Sequence, residues 1–271
     1  MPIAMKRRSR LRWYLRMFYE FARISLKNQL EYRANFFSGV MVESAWMCIK
    51  MTYLIVVVTA GVDINGLTPD MMKLFIGAYM FMTGIAMLLS GVCRLAGKVM
   101  NGELDLLMVK PGSLQFMQTM GSFDFAMALP NCACGAAVIA WGWGSAGLPL
   151  GGAIMGGFLF FMTCGIFMTY GFILIPQTLS FWVSSFGGVH SVFWALWDYN
   201  NMPMYIYPKA IRDIGTFAIP VFVITNWAGL FALGRLTVFQ AAWGIAAPVL
   251  TLLSAHLLWK FGLRRYSSAN G

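Results

Sequence analysis

NGELDLLMVKPGSLQF, Asn101–Phe116, is a polar and charged island between two long apolar runs. Two acids, a lysine and a proline are costly in hydrocarbon, so the runs on either side read as membrane spans and the island as the turn joining them. Asn101 suits a helix N-cap, Glu103 and Asp105 suit the positive end of a helix dipole, and Pro111 ends the helix after about two turns. Leu104, Leu107 and Met108 share one face, with Glu103 and Lys110 on another. Two readings follow: a small amphipathic helix offering a greasy and a charged grip to a partner in water, or a capped turn lying on the bilayer surface.

Working outward, 59% of the 271 residues are hydrophobic and only 11% charged, with a positive mean hydropathy. That balance excludes an ordinary soluble domain. Runs of roughly 20 apolar residues match a hydrocarbon core about 30 Å thick, and alternating ten-residue strands, the mark of a β-barrel, are absent. The expected fold is an all-α polytopic membrane protein with six transmembrane helices, an N-terminal interfacial amphipathic helix, and a re-entrant outer segment before the last span. Its parts are an arm and elbow helix over 1–33, a six-helix domain over 34–262 and a tail over 263–271.

In the arm, Arg8, Arg12, Arg16, Arg23 and Lys27 project to one side of a helix, and Leu11, Tyr14, Leu15, Phe18, Phe21 and Ala22 to the other. Such a helix lies in the headgroup plane, as an anchor to anionic lipid, as an elbow receiving force from a partner, or as both. No short apolar leader follows the basic opening, so no cleavable signal is expected. Spans are expected at about Asn35–Ala60, Met71–Val92, Phe123–Trp141, Gly151–Ile175, Ser180–Trp197 and Leu236–Trp259. Gly152 and Gly156 in the fourth have GxxxG spacing, which permits close helix approach. From Tyr207 to Arg235, Gly215, Pro220, Asn226, Gly229 and Gly234 interrupt an apolar stretch, which predicts two short helices entering and leaving by one face.

Six crossings put both termini on one side. The arm through Arg33 holds nine Lys/Arg; Arg94, Lys98 and Lys110 flank or lie in the island; Lys260, Arg264 and Arg265 close the chain, making fifteen of twenty on that side. By the positive-inside rule this is the cytoplasm. The net charge of +10 is therefore a topology signal, and no nucleic-acid partner is expected. The aromatic group Phe193–Tyr207 falls toward the outer interface, where a belt of anchors is expected. Asp124 reads as a surface residue, snorkelling or pairing with Arg94 or Lys98.

Glu43 and Lys50 lie on nearly the same face of the first span, about 10 Å apart along its axis at 1.5 Å per residue. They face protein or water, either in an interhelical contact or on a transport path or dimer interface. The five cysteines read as small packing residues. His190 and His256, the two histidines, fall in separate spans, and no HExxH motif or paired acidic motif occurs, which leaves a membrane-embedded enzyme or a metal site little material. GVCRLAGKVM, from Gly91, has one residue too many between its glycines for a phosphate loop, and Val99 stands where Ser or Thr is needed.

LEYRANFF (Leu30–Phe37), GELDLLMVKP (Gly102–Pro111), Phe181–Trp182, the Tyr207-Pro208-x-x-Ile211 pattern and LRRYSSA (Leu263–Ala269) together resemble permease subunits of ABC-2 type ATP-binding cassette transporters. They are most similar to the branch with a G.LDLLL.KP signature, over nearly the whole chain. The resemblance implies two six-helix permeases, identical or homologous, each resting on one of two ATPase subunits. Glu103, Leu104, Asp105, Leu107, Met108 and Lys110 then form the coupling helix, braced by the elbow with Arg12, Arg16, Arg23 and Lys27. The chain binds no cofactor of its own, and ATP and Mg belong to the partner ATPase. The expected activity is export of a hydrophobic or amphipathic cargo across a bacterial inner membrane. A proton-coupled secondary transporter is the rival, with Glu43 its one strong carboxylate.

Overall fold

The computed structural model describes residues 7–61, 63–182 and 187–266. The side chains of Arg8 and His190, residues 183–186 of the expected fifth span, and residues 267–269 of the tail motif lie outside what is described.

Helix α1 (Arg7–Glu31) turns at Tyr32 into α2 (Arg33–Ala60). Helix α3 (Pro69–Leu88) starts where Thr68 accepts from the Met71 N–H and Pro69 takes the first helical position, whose N–H has no helical partner to lose. Short helices α4 (Ser90–Cys93) and α5 (Leu95–Met100) lead to the island helix α6 (Glu103–Met108), and α7 (Leu114–Met120) leads away from it. Helix α8 (Phe125–Ser145) is capped by Asp124, whose carboxylate accepts from the Met127 N–H at 3.3 Å. Asp124 is thus a cap, and among the described residues it forms no ion pair with Arg94 or Lys98. Then follow α9 (Gly152–Thr178), α10 (Gly187–Trp197), α11 (Lys209–Asp213) running into a π turn at Ile214–Ala218, α12 (Val223–Ala232) and α13 (Val238–Leu263).

Five of these are long and apolar enough to cross a membrane: α2, α3, α8, α9 with its extension to Phe181, and α13. The fifth crossing departs from the expected Ser180–Trp197 helix. Helix α10 has 11 residues, about 16 Å at 1.5 Å per residue, half a bilayer core. Phe181 packs edge-on against Trp259 and Tyr266 at the terminal end of α13, whereas the Tyr205 carbonyl accepts from Asn65 in the α2–α3 turn at the opposite end. The chain between them therefore crosses, half as α10 and half as 3-10 turns at Asp198–Asn201 and Met204–Ile206. Such backbone survives at membrane depth only if its polar groups are satisfied by protein. Asn226 accepts from the Met204 N–H at 2.8 Å, and beside it the Thr225 hydroxyl donates to the Asn200 side-chain oxygen at 3.0 Å. Phe193 and Trp197 at the head of the aromatic group are buried, so this part of the expected belt is core.

The re-entrant expectation holds. The pair Lys209–Ala218 and Val223–Ala232 is bent by 105°. Both ends of the segment meet the same turn, because Tyr205 binds Asn65 while Arg235 donates to the Asn65 and Gly66 carbonyls. It enters and leaves by one face.

Helix α3 is the buried centre of the bundle and α2 its most exposed member. The close approach in the core is between α3 and α8, not at the GxxxG pair. A Cβ on Gly152 or Gly156 meets nothing within 4 Å, whereas one on Gly77 or Gly84 would lie 2.8 Å from α8 backbone nitrogens, and one on Gly135 would lie 2.4 Å from the Phe81 nitrogen. Seven-residue spacing (Gly77 and Gly84; Gly135 and Gly142) keeps these glycines on one stripe of each helix.

Candidate functional site

The island sits beside the start of α1 and the end of α13 and is built into the bundle. Helix α6 begins after Gly102, whose φ of 70 lets the chain reverse; Asn101 instead closes α5. Glu103 and Asp105 occupy the first turn, as the dipole favours. Leu104 is fully buried and Leu107 half-buried against the chain's own core. This corrects the expected exposed face of Leu104, Leu107 and Met108, of which Met108 alone is exposed. The apolar side chains that point outward are Leu106, Met108 and Val109, with Val109 84% exposed. Val109 escaped the helical-face reading because it lies past the helix end, where that periodicity no longer applies; Leu106 lies within α6, on the side away from the buried Leu104. Glu103 and Lys110 are exposed.

Two sequence-distant segments, α1 and the tail, hold this loop. Trp13 of α1 lies on Gly112, where φ is 134 and a Cβ would fall 2.7 Å from the indole ring, so only glycine fits there. The Tyr14 hydroxyl accepts from the Ser113 N–H at 3.2 Å, and its ring packs edge-on against Phe116. Farther along α1, Ser25 accepts from the Phe123 N–H, and the Gln29 oxygen accepts from the N–H groups of Phe125 and Ala126 at the free end of α8. The apolar side of the elbow therefore divides: Tyr14 and Phe21 face the loop and α7, while Leu11 and Leu15 stay exposed. Arg12, Arg16, Arg23 and Lys27 are all exposed. From the tail, Tyr266 packs on Phe181; burial, reinforced by the Asp105 carboxylate beside it, pushes its phenol above the ordinary value. Lys98, half-buried between the loop and the elbow, has its ammonium pushed below its ordinary range by burial; Glu103 opposes the shift, and Arg94 and Lys110 add to it.

A second constellation lies at membrane depth. Glu43 and Lys50 are joined through Asn131 of α8, which donates to Glu43 Oε1 at 2.5 Å and accepts from Lys50 Nζ at 3.4 Å. The Lys50 ammonium lies 5.1 Å from the centre of the Tyr79 ring, and the Tyr79 hydroxyl donates to Asp198 at 3.0 Å. Glu43, Lys50, Tyr79 and Asp198 line a cavity of about 450 Å³ between α2, α3 and α10, with Trp46, Tyr53 and Trp194 among its walls. Neither Asn131 nor Asp198 was singled out from sequence. The available signal was an Asn and an Asp within apolar runs, which hydrocarbon does not tolerate unpaired. The same signal marks Lys73, whose ammonium is buried against Asp70 at 2.6 Å and Ser145 at 3.0 Å, over the Trp141 ring. A separate, almost wholly apolar cavity of about 610 Å³ lies beneath the re-entrant tip, walled by Phe172, Phe193, Phe217 and Trp243.

Residues 45–270 match the family described as ABC-2 family transporter protein. No curated protein and no solved structure matches the chain. The match takes in the island, the re-entrant segment, the polar cavity apart from Glu43, and the last crossing. The chain belongs to the ABC-2 transporter family, as a multi-pass membrane permease.

Proposed function

We propose that this permease exports a hydrophobic or amphipathic cargo, as one of two membrane chains driven by two separate ATPase subunits that grip loop 101–111. The observation that carries this reading is the loop's construction. Leu104 anchors α6 inside the bundle while Leu106, Met108 and Val109 project from it, and an apolar knob on the water side calls for a partner. The elbow, the loop and the tail form one braced unit, so a push on α6 reaches α1, α7 and α13 together. ATP then favours a closed ATPase dimer, and closure biases the paired permeases between two access states. The apolar cavity under the re-entrant tip suits a greasy cargo. Fifteen of twenty basic residues fall by sequence position in the arm, the island region and the tail, which supports a bacterial inner-membrane location with both termini in the cytoplasm. The chain contributes no nucleotide chemistry; ATP and Mg belong to the ATPase partners.

The test is copurification. The chain co-expressed with the host's ATP-binding cassette subunit is expected to hold it through detergent extraction. Leu106→Ser with Val109→Ser is expected to release it while the permease stays folded. Retention of the ATPase by that double variant defeats the reading. Two carboxylates at membrane depth, Glu43 and Asp198, favour proton coupling as a second reading, which predicts transport that a protonophore abolishes and ATPase inhibition does not.

A further inference from the structure

The polar cavity between α2, α3 and α10 carries two carboxylates, Glu43 and Asp198, against one ammonium, Lys50. Glu43 and Lys50 are coupled to each other through Asn131. Asp198 accepts from the Tyr79 hydroxyl, and among the described residues no Lys or Arg lies within ion-pairing distance of it. Its depth is fixed from two sides. Tyr79 stands near the middle of α3, and the neighbouring Trp197 indole donates to Thr83 one turn farther along the same helix. Yet Asp198 is exposed. A carboxylate at mid-bilayer is too costly to face lipid, so the opening beside it faces water, a ligand or the second membrane chain.

The walls state what kind of ligand. Trp46, Tyr53 and Trp194 surround the charged groups, and aromatic faces attract cations while excluding anions. An excess carboxylate, aromatic walls and a mouth at membrane depth select together for a positive charge carried on an apolar body. We propose that this cavity binds the charged end of a cationic amphiphile, an organic monocation with apolar substituents, with Asp198 as its counter-ion and Trp46, Tyr53 and Trp194 as its walls. This names a cargo class for the permease reading and rests on it. Lys50, held by Asn131 and the Tyr79 ring, keeps the site from taking a second cation.

The experiment uses the purified full chain in nanodiscs without any ATPase, so that its failure is separate from failure of ATPase attachment. Binding of tetraphenylphosphonium and of tetraphenylborate, ions of similar shape and opposite charge, is measured by equilibrium dialysis and corrected for uptake by empty nanodiscs. Saturable phosphonium binding is expected, with borate binding at least about tenfold weaker. Asp198→Asn is expected to weaken phosphonium binding by about tenfold or more, and Asp198→Glu to recover most of it. The Glu variant guards against reading a folding defect as a lost site. Borate binding as tight as phosphonium, or Asp198→Asn binding unchanged, overturns the proposal. Absent phosphonium binding in a chain that still copurifies with its ATPase overturns the cation site alone.

Discussion

The side-chain amide of Asn131 lies 2.5 Å from Glu43 Oε1, and its oxygen accepts from Lys50, so a neutral residue on α8 joins two charges of α2 that cannot reach each other along their own helix. Asn131 is fully buried and Glu43 nearly so. Breaking such a bridge from one side leaves charge without a partner in a medium that cannot solvate it. Asn131→Leu is expected to lower stability by about 3 kcal/mol. Adding Glu43→Gln is expected to return part of the loss, because a neutral amide tolerates burial better than a carboxylate. Thermal unfolding in detergent of the two variants checks both statements.

Leu104 and Leu106 are two residues apart and have opposite fates, one fully buried and one 67% exposed. Leu104→Ala is expected to cost about 2–5 kcal/mol by opening a hole beneath α6. Leu106→Ala, which removes nothing from the core, stays within about 0.5 kcal/mol of the parent. Unfolding midpoints compared side by side test the assignment of packing to one and presentation to the other.

Gly135 meets the α3 backbone so closely that an added Cβ would fall 2.4 Å from the Phe81 nitrogen, while one on Gly97 meets nothing within 4 Å. Gly135→Ala must push α3 and α8 apart and is expected to cost about 1–3 kcal/mol. Gly97→Ala sits in a short helix with open space around it and is expected to gain up to about 1 kcal/mol. Equal effects of the two substitutions would show that helix contact is not what Gly135 provides.

Burial holds the Lys98 ammonium below its ordinary range. Between that lowered value and the unfolded 10.5, the unfolded chain binds more protons than the folded one, so stability rises as pH rises through the window, and the penalty is full below it. Lys98→Met removes the penalty. Its unfolding temperature is expected to exceed that of the parent at pH about 7 and to converge on it toward pH about 10, as the parent's lysine loses its proton.

Much of the fold is legible in sequence because hydrocarbon is a severe solvent. Runs of apolar residues, their breaks and the placement of Lys and Arg report the crossings almost directly, and Pro220 with Gly215 and Gly234 marks the re-entrant segment. Legibility fails where a polar side chain of one segment satisfies the backbone of another. Asn226 supports the 3-10 turns that complete the fifth crossing, and no local pattern announces that a span will be half α-helix and half turn. The island shows the same limit. Its acids, its glycine and its proline can be read at once, but whether Leu104 or Leu106 faces outward depends on α5 and α6 folding back onto the bundle.

By itself the sequence determined the all-helical membrane class, most of the long apolar spans and the polar loop between two of them, because each follows from transfer between water and hydrocarbon, a property of composition along the chain. Tertiary structure alone decided the partners: Asn131 between Glu43 and Lys50, Tyr79 on Asp198, Gly135 against Phe81, Trp13 on Gly112. Those depend on helix rotation and depth, which side-chain packing among distant segments sets to within an ångström and which hydropathy leaves free.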